Sequence, residues 1–189
     1  MFKEIVLKNR SYRRFYEEKS ITEEEIKYLV EMGHLTPSGA NKQPVRFVLV
    51  NSKEGCGKVY ETLRWAGYYN DWDGPVEGER PSAYIVMLSP KGMNCQHDEG
   101  IIGQTILLAA VDKGLGGCFI GNIDREELSR RINVPCGYVI SLVIALGYPK
   151  EQVVIENINS DDDIRYYRDT EAVHHVPKIV LEEVVVGYM

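Results

Sequence analysis

The pattern of apolar and polar positions predicts a protein built from both strands and helices. Apolar runs at 45–50, 83–88 and 137–149 are short and rich in β-branched residues, as buried strands are. The third run shows little alternation, which favours a central position in a sheet. Shorter runs at 117–122 and 184–186 are also strand-like.

Helical spacing of apolar residues separates these runs. A short helix is predicted at 2–8, and a clearer one begins after Thr22, which forms a capping-box pattern with Glu25. We expect Gly33 to end that helix. Another helix is predicted after Asp124, a favourable N-cap residue. The stretch 58–83 begins as a helix and continues as an aromatic, glycine-rich loop.

The most apolar helix is predicted around 101–111. Its apolar residues cover more than one face, so we expect it to be buried nearly all round. Asp98 and Glu99 suit its positive N-terminal end, and Gly114 is a natural stop. One small domain offers little cover for such a helix, which favours a partner chain.

Composition narrows the class of protein. The chain has 189 residues, 44% of them hydrophobic and 26% charged, which is ordinary for one globular domain spanning 1–189. The net charge of −6 argues against nucleic acid as a partner. No apolar stretch approaches the ~18 residues of a membrane helix, and the N-terminus differs from a signal peptide. Four separated cysteines favour free thiols in a reducing cytoplasm over zinc or disulfide bonds.

A polar loop, PSGANKQP at 37–44, directly precedes the first strand. Its two prolines and its glycine exclude both a helix and a central strand. The loop places hydroxyl, carboxamide and amine groups beside a rigid element, which is typical of a segment that holds a polar ligand.

Familiar catalytic signatures are absent from the sequence. The glycine cluster at 114–117 follows a helix and precedes a strand, which reverses the order of a dinucleotide fingerprint. Gly116 to Gly121 has the spacing of a phosphate-binding loop, but Asn122 stands where that loop needs lysine. We therefore predict no metal site, and these patterns assign no catalytic side chain.

Anion-binding groups lie near both ends of the chain. They are Arg10, Ser11, Arg13 and Arg14 at the N-terminal end, and Lys178 at the C-terminal end. His174 and His175 precede Lys178 in a polar stretch, and we expect both at the surface.

These segments, in this order, resemble the nitroreductase family of FMN-dependent oxidoreductases over nearly the whole chain. The matching segments are RSYRRF at 10–15, PSGANKQPVRFVLV at 37–50, GIIGQTILLAAVDKGLGGCFIGN at 100–122, VIALGYP at 143–149 and VPKIVLEEVV at 176–185. One departure is Val45, where the family usually has tryptophan.

The resemblance implies a set of FMN-binding residues. Arg10 and Arg13 would bind the phosphate by charge-assisted bonds, with Ser11 adding a hydroxyl. Asn41 would bond the ring edge or the ribityl chain. Lys178 would complete the phosphate site, with His175 as a neighbour. The remaining implied cofactor-binding residues are Pro37, Ser38 and Gly39 along the flavin, Gln43 in the loop, and Phe119, Ile120 and Gly121 beside the isoalloxazine. Gln43 could instead support the loop.

The resemblance also implies fold and activity. The fold would be α+β, with a mixed, mainly antiparallel sheet of four to five strands flanked by helices. The protein would be an intertwined homodimer with two FMN sites at its interface, and a tail of about 176–189 would pack on the partner. NADH or NADPH would reduce the flavin, and a nitroaromatic or quinone would reoxidise it in a ping-pong cycle. The cofactor would supply the chemistry.

Several alternatives stay open at this stage. The same scaffold runs reductive dehalogenation, azoline oxidation and flavin fragmentation. A flavin-binding protein without turnover and a flavin-free binding module are also compatible with the sequence. The aromatic loop with Trp65, Tyr68, Tyr69 and Trp72 could cover the flavin or simply pack at the surface.

Overall fold

A computed structural model describes residues 2–69 and 71–189. The chain forms two compact units, one made of residues 2–65 and 73–150 and the other of residues 66–69, 71–72 and 151–189. The prediction of one domain over 1–189 stays a prediction.

The first unit is built on a four-stranded antiparallel sheet. The order of its strands is β1-β2-β4-β3. Their bounds are β1 Arg46–Val50, β2 Ala83–Pro90, β3 Gly116–Ile120 and β4 Tyr138–Gly147. In register, Val48 faces Val86, Val86 faces Val143, and Cys118 faces Ala145. The predicted strands at 45–50, 83–88 and 137–149 and the short one at 117–122 are therefore confirmed.

Burial differs between these strands. The inner strand β2 is buried from Ala83 to Ser89, and β4 is the other inner strand, as its lack of alternation predicted. The prediction of a buried strand at 45–50 is wrong in part, because β1 is an edge strand. Arg46 is exposed, Phe47 is half-buried, and only Val50 of this strand is fully buried in the described chain.

Five helices of the first unit flank the sheet. They are α1 Phe2–Lys8, α2 Glu23–His34, α3 Lys53–Tyr60, α4 Gln96–Asp112 and α5 Arg125–Arg131. The capping box of α2 is present: the Glu25 backbone N–H donates to Thr22 Oγ1 at 3.2 Å, and the Thr22 N–H donates to Glu25 Oε2 at 2.7 Å. Asp124 caps α5, because its side chain accepts from the Glu127 N–H at 3.1 Å.

Gly33 does not end α2, contrary to the prediction. The helix runs on to His34, and Gly33 is buried inside it against α4. A Cβ at this position would come within 2.8 Å of Ile106 Cγ1. The glycine is needed for close packing of α2 on α4. The prediction was wrong because glycine is also the residue that most often ends a helix.

The helix predicted to be buried nearly all round is buried on one face only. In α4 the buried apolar residues are Ile102, Ile106, Leu107 and Ala110, whereas Ile101 is 45% exposed. The prediction of all-round burial is therefore wrong for the single chain, because the sheet and α2 cover only one side of α4. Gly114 has a φ of 74° and follows the last turn, so its predicted role as a stop is confirmed.

The second unit holds a three-stranded sheet and one short helix. The sheet has the order β5-β7-β6, with β5 Val153–Ile158, β6 Tyr167–Arg168 and β7 His174–Ile179. Strands β5 and β7 are parallel, and β6 is antiparallel to β7. The sequence did not predict these strands.

The end of the chain differs from the predicted strand at 184–186. Val184 is the last residue of α6, Leu181–Val184, and Val186 is 99% exposed. This run pairs with no strand in the described part of the chain, so the strand prediction is wrong there. The packing of about 176–189 on a partner stays a prediction.

The described helices include none that is both long and apolar enough to cross a lipid bilayer.

Candidate functional site

The basic N-terminal segment lies against the start of β3. Ser11 and Gly117 form a parallel β-bridge, and the Tyr12 backbone N–H donates to the Gly117 carbonyl at 3.1 Å. A Cβ at Gly117 would come within 2.2 Å of the Ala145 carbonyl oxygen, so only glycine allows this close approach. The bridge and the hydrogen bond fix the segment at 10–13 beside Gly117. The resemblance implies that this segment and the one that follows Gly117 contact the same ligand.

Arg10 carries an unsatisfied donor. Its Nη2 donates to the Val6 carbonyl at 2.9 Å, while its Nε is buried and has no hydrogen-bond partner among the described residues. Burial lowers the pKa of Arg10 from its ordinary value, although the group stays cationic at neutral pH. A half-buried guanidinium whose Nε lacks a partner suits a bound anion such as a phosphate.

The neighbouring arginines differ in their partners. Arg13 Nη1 donates to the Ser11 carbonyl at 3.1 Å, and Ser11 itself is exposed. Arg14 instead forms a two-bond pair with Glu79, at 2.5 Å and 2.7 Å. Lys150 Nζ lies 3.0 Å from the same carboxylate. Arg14 therefore supports the fold.

Glu79 is the carboxylate that pairs with both Arg14 and Lys150. The bonds from Arg14, and then the bond from Lys150, hold the pKa of Glu79 down at about 2. Sequence reasoning missed this residue, since the only signal is an acidic position in a long loop.

The loop at 37–44 is shaped by its own polar side chains. Ser38 Oγ accepts from the Gln43 backbone N–H at 3.1 Å, and Gln43 Nε2 donates to Asn41 Oδ1 at 3.1 Å. Ala40, Asn41 and Gln43 have φ values of 49°, 54° and 47°, which is the strained left-handed region for such residues. The geometry favours the interpretation that Gln43 supports the loop.

Asp98 ties this loop to α4. Its Oδ1 accepts from the Gly39 backbone N–H at 2.9 Å. The sequence indicated Asp98 only as a favourable charge at a helix N-terminus, so its role as an anchor was missed. One hydrogen bond of the loop thus goes to α4, and the Tyr12 backbone N–H of the Arg10 segment bonds β3. Pro37, Gly39 and Asn41 are exposed in the described chain.

The third predicted segment, 119–121, lies at the end of β3. The Phe119 ring packs on Gly103 of α4, where a Cβ would come within 2.4 Å of the ring. Phe119 is 37% exposed, Ile120 is buried, and the Gly121 carbonyl accepts from Arg125 Nη2 at 3.0 Å. The contribution of Gly103 was not evident from the sequence.

The two predicted residues of the second unit lie on β7. Both ring nitrogens of His175 contact carboxylates, with Nδ1 2.6 Å from Glu156 Oε1 and Nε2 3.0 Å from Asp169 Oδ2. The hydrogen bond to Asp169, followed by that to Glu156, raises the pKa of His175. Both nitrogens are thus engaged, which weighs against a phosphate contact. Lys178 is exposed, and none of the ion pairs among the described residues includes it.

His174 is not a surface residue, contrary to the prediction. Only 1% of it is exposed, and its Nδ1 lies 2.5 Å from the Tyr69 hydroxyl oxygen. Within the second unit, Tyr166 packs on both of these rings. The polar sequence around His174 gave no indication of its contacts with Tyr69 and Tyr166.

The aromatic loop divides between the two units. Trp65 belongs to the first unit, where it is buried against Tyr60 with ring centroids 6.0 Å apart. In the second unit, Tyr69 makes an edge contact with Trp72, and Tyr68 lies against Tyr166. These contacts favour the packing interpretation of the loop, and a role over a flavin stays a prediction.

Comparisons with known proteins identify the family of the chain. Residues 6–73 match the model of the nitroreductase family, and residues 76–184 match a model described as "Putative TM nitroreductase". The second match alone covers more than half of the chain.

Individual relatives are distant but extensive. A protein of Archaeoglobus fulgidus named "Putative NADH dehydrogenase/NAD(P)H nitroreductase" is 28% identical over an alignment of 148 residues, which covers 74% of this chain and 80% of that protein. An iodotyrosine deiodinase of Thermotoga neapolitana is 26% identical over an alignment of 168 residues, which covers 80% of this chain and 90% of that protein.

A solved structure shows the same fold. It is an oxidized iodotyrosine deiodinase bound to FMN and 3-iodo-L-tyrosine, with a TM-score of 0.63 at 20% identity, and the match covers 89% of this chain and 95% of that chain. The α+β prediction is confirmed by these neighbours and by the antiparallel sheet. On the strength of the family models, the chain belongs to the nitroreductase family.

Proposed function

We propose that the chain is an FMN-dependent NAD(P)H oxidoreductase that acts on nitroaromatics, quinones or similar small acceptors. The observation that carries the proposal is the buried, unpartnered Nε of Arg10 beside the Gly117 turn. The fixed cation and free donor suit the phosphate of FMN.

The relatives support the proposal. The Archaeoglobus fulgidus protein carries NAD(P)H nitroreductase in its name, and the deiodinase structure contains FMN. When bound, FMN would accept hydride from NADH or NADPH and deliver it to the acceptor in a ping-pong cycle.

The residues of this chain would bind and orient the cofactor. Arg10 and Arg13 would neutralise the phosphate, and the exposed Ser11 hydroxyl would add a hydrogen bond. The strained loop at 37–43, held by Asp98, would present its polar groups to a ligand at a fixed conformation. Exposed loop groups suit a site completed at the interface of a homodimer, and the half-exposed face of α4 offers an apolar surface for that interface.

The proposal is tested by cofactor analysis and turnover. We expect purified protein to be yellow and to release FMN, not FAD, on denaturation. It should oxidise NADH or NADPH in the presence of a quinone. Colourless protein that does not take up added FMN would overturn the proposal, whereas bound FMN without turnover would indicate a flavin-binding protein.

Reductive dehalogenation is a second candidate. It is favoured by the Thermotoga neapolitana relative, which is named iodotyrosine deiodinase and is matched over 90% of its length. Iodide release from 3-iodo-L-tyrosine by the reduced protein would distinguish this activity from quinone reduction.

A further inference from the structure

A cavity of the first unit lies outside the segments predicted to bind the flavin. It has a volume of about 570 Å³ and opens between α3, the segment at 17–20 and the residues that lead into β2. Sites for small molecules commonly have volumes of ~300–1,000 Å³. The lining shares no residue with the predicted flavin-binding set.

Three buried polar atoms without partners surround this cavity. They are Arg80 Nε, Ser82 Oγ and Tyr84 Oη, and each lacks a hydrogen-bond partner among the described residues. Tyr84 lies in β2, and Ser82 and Arg80 precede it by two and four positions. Buried polar groups are nearly always satisfied in folded proteins, so three in one cavity indicate a polar ligand or ordered water.

Two of these residues, Arg80 and Tyr84, are held in place. The Arg80 guanidinium lies 4.2 Å from the centroid of the Tyr60 ring, which fixes it by a cation–π contact. Glu17 Oε2 accepts from the backbone N–H groups of Gly78 and Arg80, at 2.6 Å and 3.2 Å. Tyr84 is completely buried. These contacts position the donors before any ligand arrives.

The protonation states indicate which ligand would fit. Burial raises the pKa of Tyr84 well above its ordinary value, so its hydroxyl remains a donor. Burial, with a smaller effect of Glu17, raises the pKa of the Cys56 thiol in the lining to about 11. This thiol is protonated near neutral pH and therefore a weak nucleophile. The cavity is suited to binding, not to covalent chemistry.

The charges around the cavity restrict the ligand further. Arg80 makes no ion pair within the described parts of the chain, so its positive charge is available to an anion. The lining also contains Glu17, Glu18 and Glu77 against one further cation, Lys53. These carboxylates repel doubly charged anions such as phosphate. A singly charged ligand with two acceptor oxygens fits both requirements.

We propose that this cavity binds a small monocarboxylate, whose oxygens accept hydrogen bonds from Arg80, Ser82 and Tyr84. The site is additional to the proposed flavin site and does not depend on it. It gives each of the three orphan groups a partner of the right chemistry.

The test uses butyrate, butyramide and inorganic phosphate as probes, and calorimetric titration of the purified protein with whatever cofactor it retains. We expect butyrate to bind, and phosphate and butyramide to bind at least about tenfold more weakly. Butyramide lacks the charge that strengthens the hydrogen bond to Arg80, and the carboxylates of the lining repel phosphate. Arg80→Gln should weaken butyrate binding about 10- to 100-fold. Arg64→Gln is the control, since Arg64 is exposed and outside the cavity.

Tyr84→Phe separates binding from folding. It removes one orphan hydroxyl from a buried position, so stability should be unchanged or higher. Butyrate binding should still fall about three- to tenfold through the loss of one neutral hydrogen bond. Absence of butyrate binding, equal binding of butyramide, or equal affinity of the wild type, Arg80→Gln and Tyr84→Phe would each overturn the proposal.

Discussion

We expect FMN binding to depend on Arg10 more than on any other single residue. A charge-assisted hydrogen bond to a partly buried phosphate contributes about 1.5–3 kcal/mol. We therefore expect Arg10→Ala to weaken FMN binding about 10- to 100-fold, and Lys178→Ala to do the same if Lys178 completes the phosphate site. Fluorescence titration of the apoprotein variants with FMN measures both effects.

The control for Arg10 follows from the structure. Arg131 lies outside every segment that matches the family, so the sequence suggests it as a control. In the structure, however, it bonds Glu127 at 2.6 Å and also contacts Glu61. Its loss would disturb the contact between α3 and α5. The exposed Arg64 is the better control for a lost positive charge. Similar small effects of Arg10→Ala and Arg64→Ala would show that the phosphate site lies elsewhere.

Glu79 should make stability depend on acidity. Its pKa in the folded protein is about 2, below the ordinary value of 4.5. Its contribution is therefore complete above pH 4.5 and is lost as the pH falls towards 2. This difference corresponds to about 3 kcal/mol at most, since one pKa unit is worth about 1.4 kcal/mol.

Chemical denaturation at a series of pH values tests this contribution. The free energy of unfolding should fall with pH in the wild type over that window, and the fall should be smaller in Glu79→Gln. An identical pH dependence in both proteins would show that the pair with Arg14 adds nothing. The sequence could not predict this pair, because Arg14 and Glu79 are 65 positions apart.

At the scale of elements, the sequence predicts helices and strands that depend on local patterns, but not strands that depend on residues distant in sequence. The capping box of α2 and the inner strands β2 and β4 depend on neighbouring residues or on long apolar runs, which the sequence displays. Strands β5, β6 and β7 mix polar and apolar residues, and β5 pairs in parallel with a strand about twenty residues away in sequence. Gly33 shows a different limit, since a capping glycine and a packing glycine look the same.

Two helical glycines give a matched test of that correction. Gly33→Ala should destabilise the protein by about 1–2 kcal/mol, because overpacking against Ile106 exceeds the gain in helix propensity. Gly57→Ala, with nothing within 4 Å of the new Cβ, should stabilise it by about 0.5–1 kcal/mol. Urea denaturation of both variants measures the two effects. Stabilisation by both substitutions would contradict close packing at Gly33.

At the scale of the whole molecule, the half-exposed face of α4 leads us to expect a dimer. Ile101 of α4 is 45% exposed, and an interface would bury it. We expect light scattering to give a dimer, and Ile101→Glu to shift it towards monomer. Val76→Glu is the matched control, because Val76 is 64% exposed in a loop.

The chain end gives an independent test of assembly. Removal of 184–189 should weaken the dimer if this segment packs on the partner. A stable, flavin-loaded monomer would contradict both assembly predictions. A dimer unaffected by Ile101→Glu would show that the interface lies away from α4.

The most direct test of the central claim is anaerobic reduction of the purified protein by NADH and by NADPH. We expect the protein to carry FMN, at least one of the two donors to bleach its flavin absorbance, and an added quinone to restore that absorbance. A flavin that neither donor reduces, or a protein that binds no FMN, would contradict the proposed function.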